Sequence, residues 1–245
     1  MIADADPLNS DFLSAYVLHR RAYRETSFLV DIFTQEHGRQ RVVAKGVRNN
    51  KQAKSSLLQP FLPLQIGVTG RHELKNLRHV EAMGASFKLD ANYLYSAMYL
   101  NELLLRLLPA DIPSDILYRA YAMSLQGLAA KDAIEPILRE FELLILQQLG
   151  YGVELTHTGE YGEPVEPDAL YQFSPQQGVM EQRGSYVPGK SYSGNVLLDI
   201  SRAEWHSESL KAAKRLTRQA LRPLLGNKPL KSRELFLQPV QESSR

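Results

Sequence analysis

The chain has 245 residues, 44% hydrophobic and 23% charged, with no cysteine: an ordinary soluble composition with enough length for one or two cores. Disulfides and thiolate metal sites are excluded, and the most apolar run, 93–108, is interrupted by Glu102 and Arg106 and too short to span a bilayer. A formal net charge of +2 hides strong segregation: no acid lies between Glu36 and Glu73 or between Glu208 and Glu234, whereas 90–168 holds thirteen Asp or Glu against Arg106, Arg119, Lys131 and Arg139.

The first eighty residues read as strands. Segments 14–19, 27–34, 39–45, 62–69 and 74–82 are short, β-rich and separated by turn residues, with His37-Gly38 as a tight hairpin. Phe28, Val30 and Ile32 fall on one face by alternation, as do Leu62, Leu64, Ile66 and Val68. Five short strands suit a small closed barrel of the oligonucleotide-binding (OB) type. Helical periodicity follows. Tyr93, Ala97, Leu100, Leu104 and Leu107 share a face and Pro109 stops that helix; a second is expected over 114–129. A third opens at Asp132, where Asp132 and Glu135 have capping-box spacing, and closes at Gly150. From 151 to 205 the chain is rich in turn residues, with weak strand signals at 170–173 and 196–200. A last long helix is expected over 207–225, kinked or ended by Pro223. The predicted fold is therefore α+β: an OB barrel over 1–82, then a helical domain over 83–245 with an irregular, Cys-free insertion at about 151–205.

Two positive fields on a nearly neutral chain are the footprint of a polyanion binder; solvated faces are the competing reading. Arg39, Arg41, Val43 and Lys45 project to one side of the third strand, and Lys45, Arg48, Lys51 and Lys54 continue along the following loop. Arg71 precedes the fifth strand, and Lys75 and Arg78 lie on it. Cations that track phosphates beside aromatic platforms hold single strands on such barrels, and Tyr23, Phe28, Phe33 and Phe61 are the nearby rings, with Phe28 reading as core. On the last long helix Lys211, Arg215, Arg218 and Arg222 form a stripe at i, i+4, i+7 and i+11, opposite an apolar side of Leu210, Ala213, Thr217, Ala220, Leu221 and Leu224. Lys214, Lys228, Lys231 and Arg139 are assigned to the same second basic surface.

Gly184 to Ser191 matches the P-loop pattern GxxxxGK[ST] letter for letter. Its context does not: no buried parallel strand precedes it, and Tyr192 to Asn195 reads as a turn and not as a first helical turn. The six histidines show no metal-ligand spacing, Glu160, Glu163 and Glu166 read as solvated acids, no nucleophile elbow occurs, and Trp205 is expected to tie the last helix to the core. No enzyme activity and no cofactor are expected.

Segments 16–19, 25–27, 43–48, 58–61, 99–103, 149–152 and 228–236 together resemble, in order and over nearly the whole chain, the RecO family of bacterial DNA repair proteins, which are recombination mediators. The resemblance implies an OB barrel, a helical domain and, in many members, a zinc-binding insertion. The stretches around Thr158 and Tyr161 and from Met180 to Gly184 lack the usual cysteines, so no metal is carried over. It further implies binding of single- and double-stranded DNA, annealing of complementary strands coated by single-stranded DNA-binding protein, docking on that protein's acidic C-terminal tail, and action with RecR to load RecA. A cytoplasmic, nucleoid-associated location without membrane contact follows, and residues 1–12, acidic and without an apolar core, give no expectation of a secretory signal. An RNA-binding barrel module and a P-loop nucleotide hydrolase are the alternatives.

Overall fold

A computed structural model describes residues 12–48, 53–70 and 73–236. Five strands, β1 (Leu13–Tyr23), β2 (Ser27–Thr34), β3 (Gly38–Ala44), β4 (Leu64–Thr69) and β5 (Leu74–Ala82), close into a barrel of order β1-β2-β3-β5-β4. Neighbours are antiparallel except β3 and β5, whose parallel pairing needs a crossover, and α1 (Ala53–Leu57) lies within it. A register shift between Val17 and His19 marks a bulge in β1.

The alternation read from sequence holds. Val30 and Ile32 of β2, Val42 and Ala44 of β3, and Leu64 and Ile66 of β4 face one core inside the barrel, with Phe28 and Val68 packed at its margin. β2 is buried on both faces, so the residues between them also lie out of water. Phe33, fully buried, meets Tyr118 at 5.6 Å and Tyr121 at 6.3 Å, and Tyr16 meets Tyr121 at 5.2 Å. Those tyrosines come from α3 (Asp115–Ala130), which with α2 (Ala91–Leu107) packs on the outside of the barrel. Asn101 of α2 is buried; its amide donates to Leu18 O at 3.0 Å and its oxygen accepts from the Tyr121 hydroxyl at 2.5 Å, so the polar group in this contact is satisfied.

The chain forms two compact units, Met1–Ala130 with Leu230–Arg245, and Lys131–Pro229. The second unit contains α4 (Ile134–Gln148), strands β6 (Leu170–Ser174), β7 (Gly178–Glu181) and β8 (Tyr192–Ser193) in the order β7-β6-β8, then α5 (Gly194–Ser201) and α6 (Ser207–Leu225). The short α7 (Lys231–Leu235) returns to α2 in the first unit.

Three local expectations change. The expected capping box at Asp132 and Glu135 is not formed: Ala133 is the N-cap of α4 and no side chain caps it. The stretch 196–200 is helical, because its apolar residues pack as one face of α5, with Val196, Leu197 and Ile200 in a core shared with Tyr171, Tyr192 and Leu216. Short apolar runs do not distinguish strand from helix by periodicity. Residues 151–205 also hold more order than their turn-rich composition suggests. The end of α4 is as expected: Gly150 at φ +81° lets its amide reach Gln147 O at 3.1 Å while the Tyr151 amide reaches Leu146 O at 2.8 Å, a Schellman closure.

Candidate nucleic-acid interface

The strand pleat places Arg39, Arg41, Val43 and Lys45 outside and Gln40, Val42 and Ala44 inside. Beside this outer face lies a cleft of about 720 Å³, lined by the β1–β2 hairpin (Tyr23 to Ser27), Val43 and Lys45 of β3, and Leu74 and Asn76 of β5. Lys45 is exposed at its edge. The Arg24 guanidinium lies 5.3 Å from the Tyr23 ring centroid, so a cation and a ring stand together at the mouth. Arg48 Nη1 donates to the carbonyl oxygens of Arg24 at 3.0 Å and Glu25 at 3.3 Å, which fixes the hairpin without neutralising the guanidinium.

Other expected cations are placed differently. Arg41 Nε contacts Asp31 Oδ1 at 2.9 Å, and Asp31 is buried, so this charge is matched. Arg39 Nε donates to Leu108 O at 2.9 Å, tying the barrel to the loop after α2. Lys75 pairs with Asp111 of the same loop, whose carboxylate also accepts from Gln40 Nε2 at 2.6 Å. Burial would raise the Asp111 pKa, but the hydrogen bonds from Lys75 and Gln40 and the charges of Lys75 and His37 hold it below the ordinary 3.8. Arg78 donates to Thr69 Oγ1 at 3.0 Å and stays exposed, as does Lys54 on α1. Lys51 and Arg71 lie outside the described residues. Of the rings, Phe33 and Phe61 are buried and Phe28 packs against the barrel core, which leaves Tyr23 at the cleft.

Sequence reasoning missed Arg20 and Arg24. Arg20 Nη1 donates to Ser55 O at 2.7 Å with its guanidinium 5.0 Å from the Phe28 ring. The signal was present as the run Arg20-Arg21-Ala22-Tyr23-Arg24 where β1 turns into β2.

In the second unit, Lys211, Lys214, Arg215, Arg218, Gln219 and Arg222 line a shallow groove of about 370 Å³ along α6. The opposite face is buried as predicted at Ala213, Thr217, Ala220 and Leu221, with Ala212 and Leu216 added. Pro223 sits in the last turn without breaking the helix. Arg139 does not belong to this surface. It is 5% exposed, with Nη1 2.7 Å from Glu142 Oε2 and 3.3 Å from Thr217 Oγ1, inside the α4–α6 contact. Lys228 and Lys231 fall on either side of the division between the units. Trp205 joins the core beneath α6, as expected, and its Nε1 donates to Glu140 Oε1 at 2.7 Å.

Two family profiles cover the chain: Recombination protein O N terminal over residues 13–85 and Recombination protein O C terminal over 88–234. The chain belongs to the RecO family of DNA repair proteins. It is 51% identical over 226 residues to the DNA repair protein RecO of Pseudoalteromonas atlantica, covering 92% of this chain and 94% of that one. Against the RecO of Alteromonas mediterranea it is 44% identical, covering 94% and 98%, and against that of Vibrio parahaemolyticus 43%, covering 95% and 96%. The closed five-stranded barrel followed by helices agrees with the OB-plus-helical plan of the family. Among the described residues no helix is long and apolar enough to cross a membrane.

The stretches where the family resemblance implies zinc ligands, around Thr158 and Tyr161 and from Met180 to Gly184, do not fit that metal here: they supply no thiolate. Thr158 Oγ1 accepts from the Glu163 amide at 3.0 Å, and the Gly159 amide donates to Val179 O at 2.8 Å. This approach is so close that a Cβ at Gly159 would lie 1.9 Å from Gln177 O. Backbone hydrogen bonds close the loop onto the β6–β7 hairpin.

The P-loop pattern is likewise a structural turn. β7 before it runs antiparallel to β6, and the Ser191 and Lys190 amides bond Val187 O at 2.9 and 3.1 Å. Fully buried Ser191 donates through Oγ to Gln182 Oε1 at 2.5 Å and accepts from the Val187 amide at 2.7 Å. A helix does follow, against expectation, but it starts at Gly194 beyond the β8 pairing. Amides and hydroxyl that would cradle phosphate and Mg²⁺ in a P-loop are used internally.

Proposed function

We propose that this RecO-family chain is a non-enzymatic recombination mediator that binds single- and double-stranded DNA. In this reading it anneals complementary strands coated by single-stranded DNA-binding protein, docks on that protein's acidic tail, and with RecR assists RecA loading in the cytoplasm, at the nucleoid. The observation that carries DNA binding is the barrel cleft, where Arg24 and Lys45 line the wall with the Tyr23 ring and with one acid, Glu25, and Arg48 holds the hairpin that presents Arg24. Cations follow a phosphate backbone while one ring offers a stacking face, the arrangement by which small barrels hold single strands without reading sequence. A second basic surface on α6 gives the molecule two places for polyanions, and two phosphate backbones must be screened from each other before they can pair.

The test is single-strand affinity against salt. Replacing Arg24 and Lys45 together by Glu removes two cleft cations, and the slope of log affinity on log salt should fall by about 1.4, at ~0.7 per phosphate contact. An unchanged slope takes the barrel out of the mechanism. A matched RNA oligonucleotide that competes as well as DNA would favour the RNA-binding alternative. Annealing of strands coated by single-stranded DNA-binding protein, with and without its tail, tests the mediator role itself.

A further inference from the structure

Between Arg139 and Arg183 the chain carries eight Asp or Glu and no Lys or Arg, the converse of its acid-free stretches. Two of the eight are engaged locally: Glu142 pairs with Arg139 at 2.7 Å, and Glu140 accepts from Trp205 Nε1. Glu154, Glu160, Glu163, Glu166, Asp168 and Glu181 are exposed. Among the described residues the one basic side chain within ion-pair distance of any of these six is His157, whose Nδ1 lies 4.0 Å from Glu154 Oε1. Against this acid-only stretch lies a pocket of about 480 Å³. Its walls are the turn after α4 from Gly150 to Glu154, Phe173 and the tip of the β6–β7 hairpin, and Ala220, Pro223 and Leu224 of α6. Glu154 is the only charged residue in that lining, and the Tyr151 ring stands 58% exposed at its edge. Glu154 Oε1 accepts from the Thr156 amide at 2.7 Å and from its hydroxyl at 2.6 Å, bonds that fix the carboxylate and hold its pKa below the ordinary 4.5. The closing turn of α4 and the last turn of α6 both border the pocket, so two helix C-termini add partial negative charge to it.

We infer that this pocket docks an arginine-bearing segment of a partner protein, with the guanidinium held by the Tyr151 ring and the Glu154 carboxylate. Each feature of the lining favours that occupant. An aromatic face attracts a cation, a planar guanidinium stacks on it and can meet a carboxylate with two N–H groups, and Phe173, Val153 and Leu224 offer apolar contact to the methylene stem. The exposed acids around the pocket attract a basic segment and repel nucleic acid, so the site is separate from the DNA-binding surfaces and does not rest on that reading. An acidic peptide ending in an aromatic ring could use the rings, but it would bring its carboxylates against Glu154.

The test uses the full-length protein, its amide NMR spectrum, and a synthetic capped peptide of sequence Gly-Arg-Leu-Arg-Gly. A second peptide replaces each arginine by citrulline, which keeps the shape and removes the charge. The arginine peptide should give saturable shifts at residues 150–154 and 173–178, and the citrulline peptide should bind about tenfold more weakly or less. Glu154→Gln keeps an acceptor for the Thr156 bonds, and Tyr151 is exposed, so Glu154→Gln and Tyr151→Ala should each leave the melting transition unchanged. Each should weaken the arginine peptide by about fivefold or more, whereas Glu181→Gln, in the same acid-only stretch but outside the pocket, should stay within about twofold of the parent. No saturable shift at those residues, or equal binding of the two peptides, overturns the inference. So does a loss at Glu181→Gln as large as at Glu154→Gln, which would mean a diffuse acidic field and no pocket. It is equally overturned if an acidic peptide ending in Phe, or a single-stranded oligonucleotide, displaces the arginine peptide from the pocket residues.

Discussion

The carboxylate of Glu102 on α2 accepts from the amide of Ser232 at 2.9 Å and from its hydroxyl at 2.7 Å, across 130 positions of chain. The Lys231 amide adds a third bond at 3.0 Å, and the Phe236 ring meets Tyr95 at 5.6 Å. Two of the segments that carry the family resemblance, 99–103 and 228–236, therefore meet in space: one supplies the acceptor and the other the donors.

This contact gives the first prediction. Burial would raise the Glu102 pKa, but the Ser232 side-chain and backbone bonds, the Lys231 amide and the Arg106 charge outweigh it and hold the carboxyl below its ordinary 4.5. A group with a depressed folded pKa contributes stability that is present above its unfolded value and is lost as pH falls through the folded one. Glu102→Gln should lower stability by about 1–2 kcal/mol at neutral pH, as expected for charge-assisted hydrogen bonds weakened by partial exposure. Its melting temperature should converge with that of the parent as pH drops below 4.5. Thermal melts at pH 7, 5 and 3.5 decide it; a constant difference would mean the carboxylate charge is irrelevant.

Much of the architecture was legible because strand alternation is a strong signal where one face is buried. The residues expected to share a face in β2 and in 62–68 are among those that fill the barrel or pack against its core. Local pattern carries less about where a charge ends up. Arg139 reads as a surface cation on a helix, yet the partner that neutralises it is Glu142, one turn on, together with Thr217 from an element far along the chain. Arg41 sits in the acid-free stretch and Lys75 just past its end at Glu73, but their partners Asp31 and Asp111 arrive through the fold. Conversely, Arg24 escaped notice because it lies before the acid-poor stretch, and a hairpin brings it beside Lys45.

The Arg139–Glu142 pair predicts a sharp asymmetry. Both residues are nearly fully buried, Thr217 hydrogen-bonds to each, and Arg139 Nε has no hydrogen-bond partner among the described residues. Glu142→Leu alone leaves an uncompensated guanidinium and should cost about 3–5 kcal/mol in urea denaturation. Adding Arg139→Met should recover most of that loss, because a matched apolar pair removes both desolvation penalties. A double variant no more stable than the single one would show that the pair does more than offset its own burial.

Matched and unmatched barrel cations should behave differently towards DNA. The Lys75 ammonium is paired with Asp111, and its side chain is 16% exposed. Lys75→Ala should therefore change single-strand affinity by less than about twofold, whereas Lys45→Ala should lower it and reduce the salt slope by about 0.7. Binding titrations at several salt concentrations separate the two. A Lys75 effect as large as that of Lys45 would mean that DNA displaces Asp111.

The turn at 187–191 yields opposite expectations for neighbouring residues. Ser191 is fully buried, and its hydroxyl joins the Val187 amide to Gln182. Ser191→Ala leaves that amide and that side-chain oxygen short of a partner and should cost about 1–3 kcal/mol. Lys190 is exposed, with its amide committed to Val187 O. Lys190→Ala should leave the melting temperature unchanged, and it should also leave unchanged any ATP turnover measured with and without DNA. In a working P-loop the lysine contacts the β- and γ-phosphates, so lysine-dependent turnover would require the turn to open and release its amides. Loss of stability at Ser191 with no effect at Lys190 is the pattern expected of a strut that supports Arg215 from beneath α6.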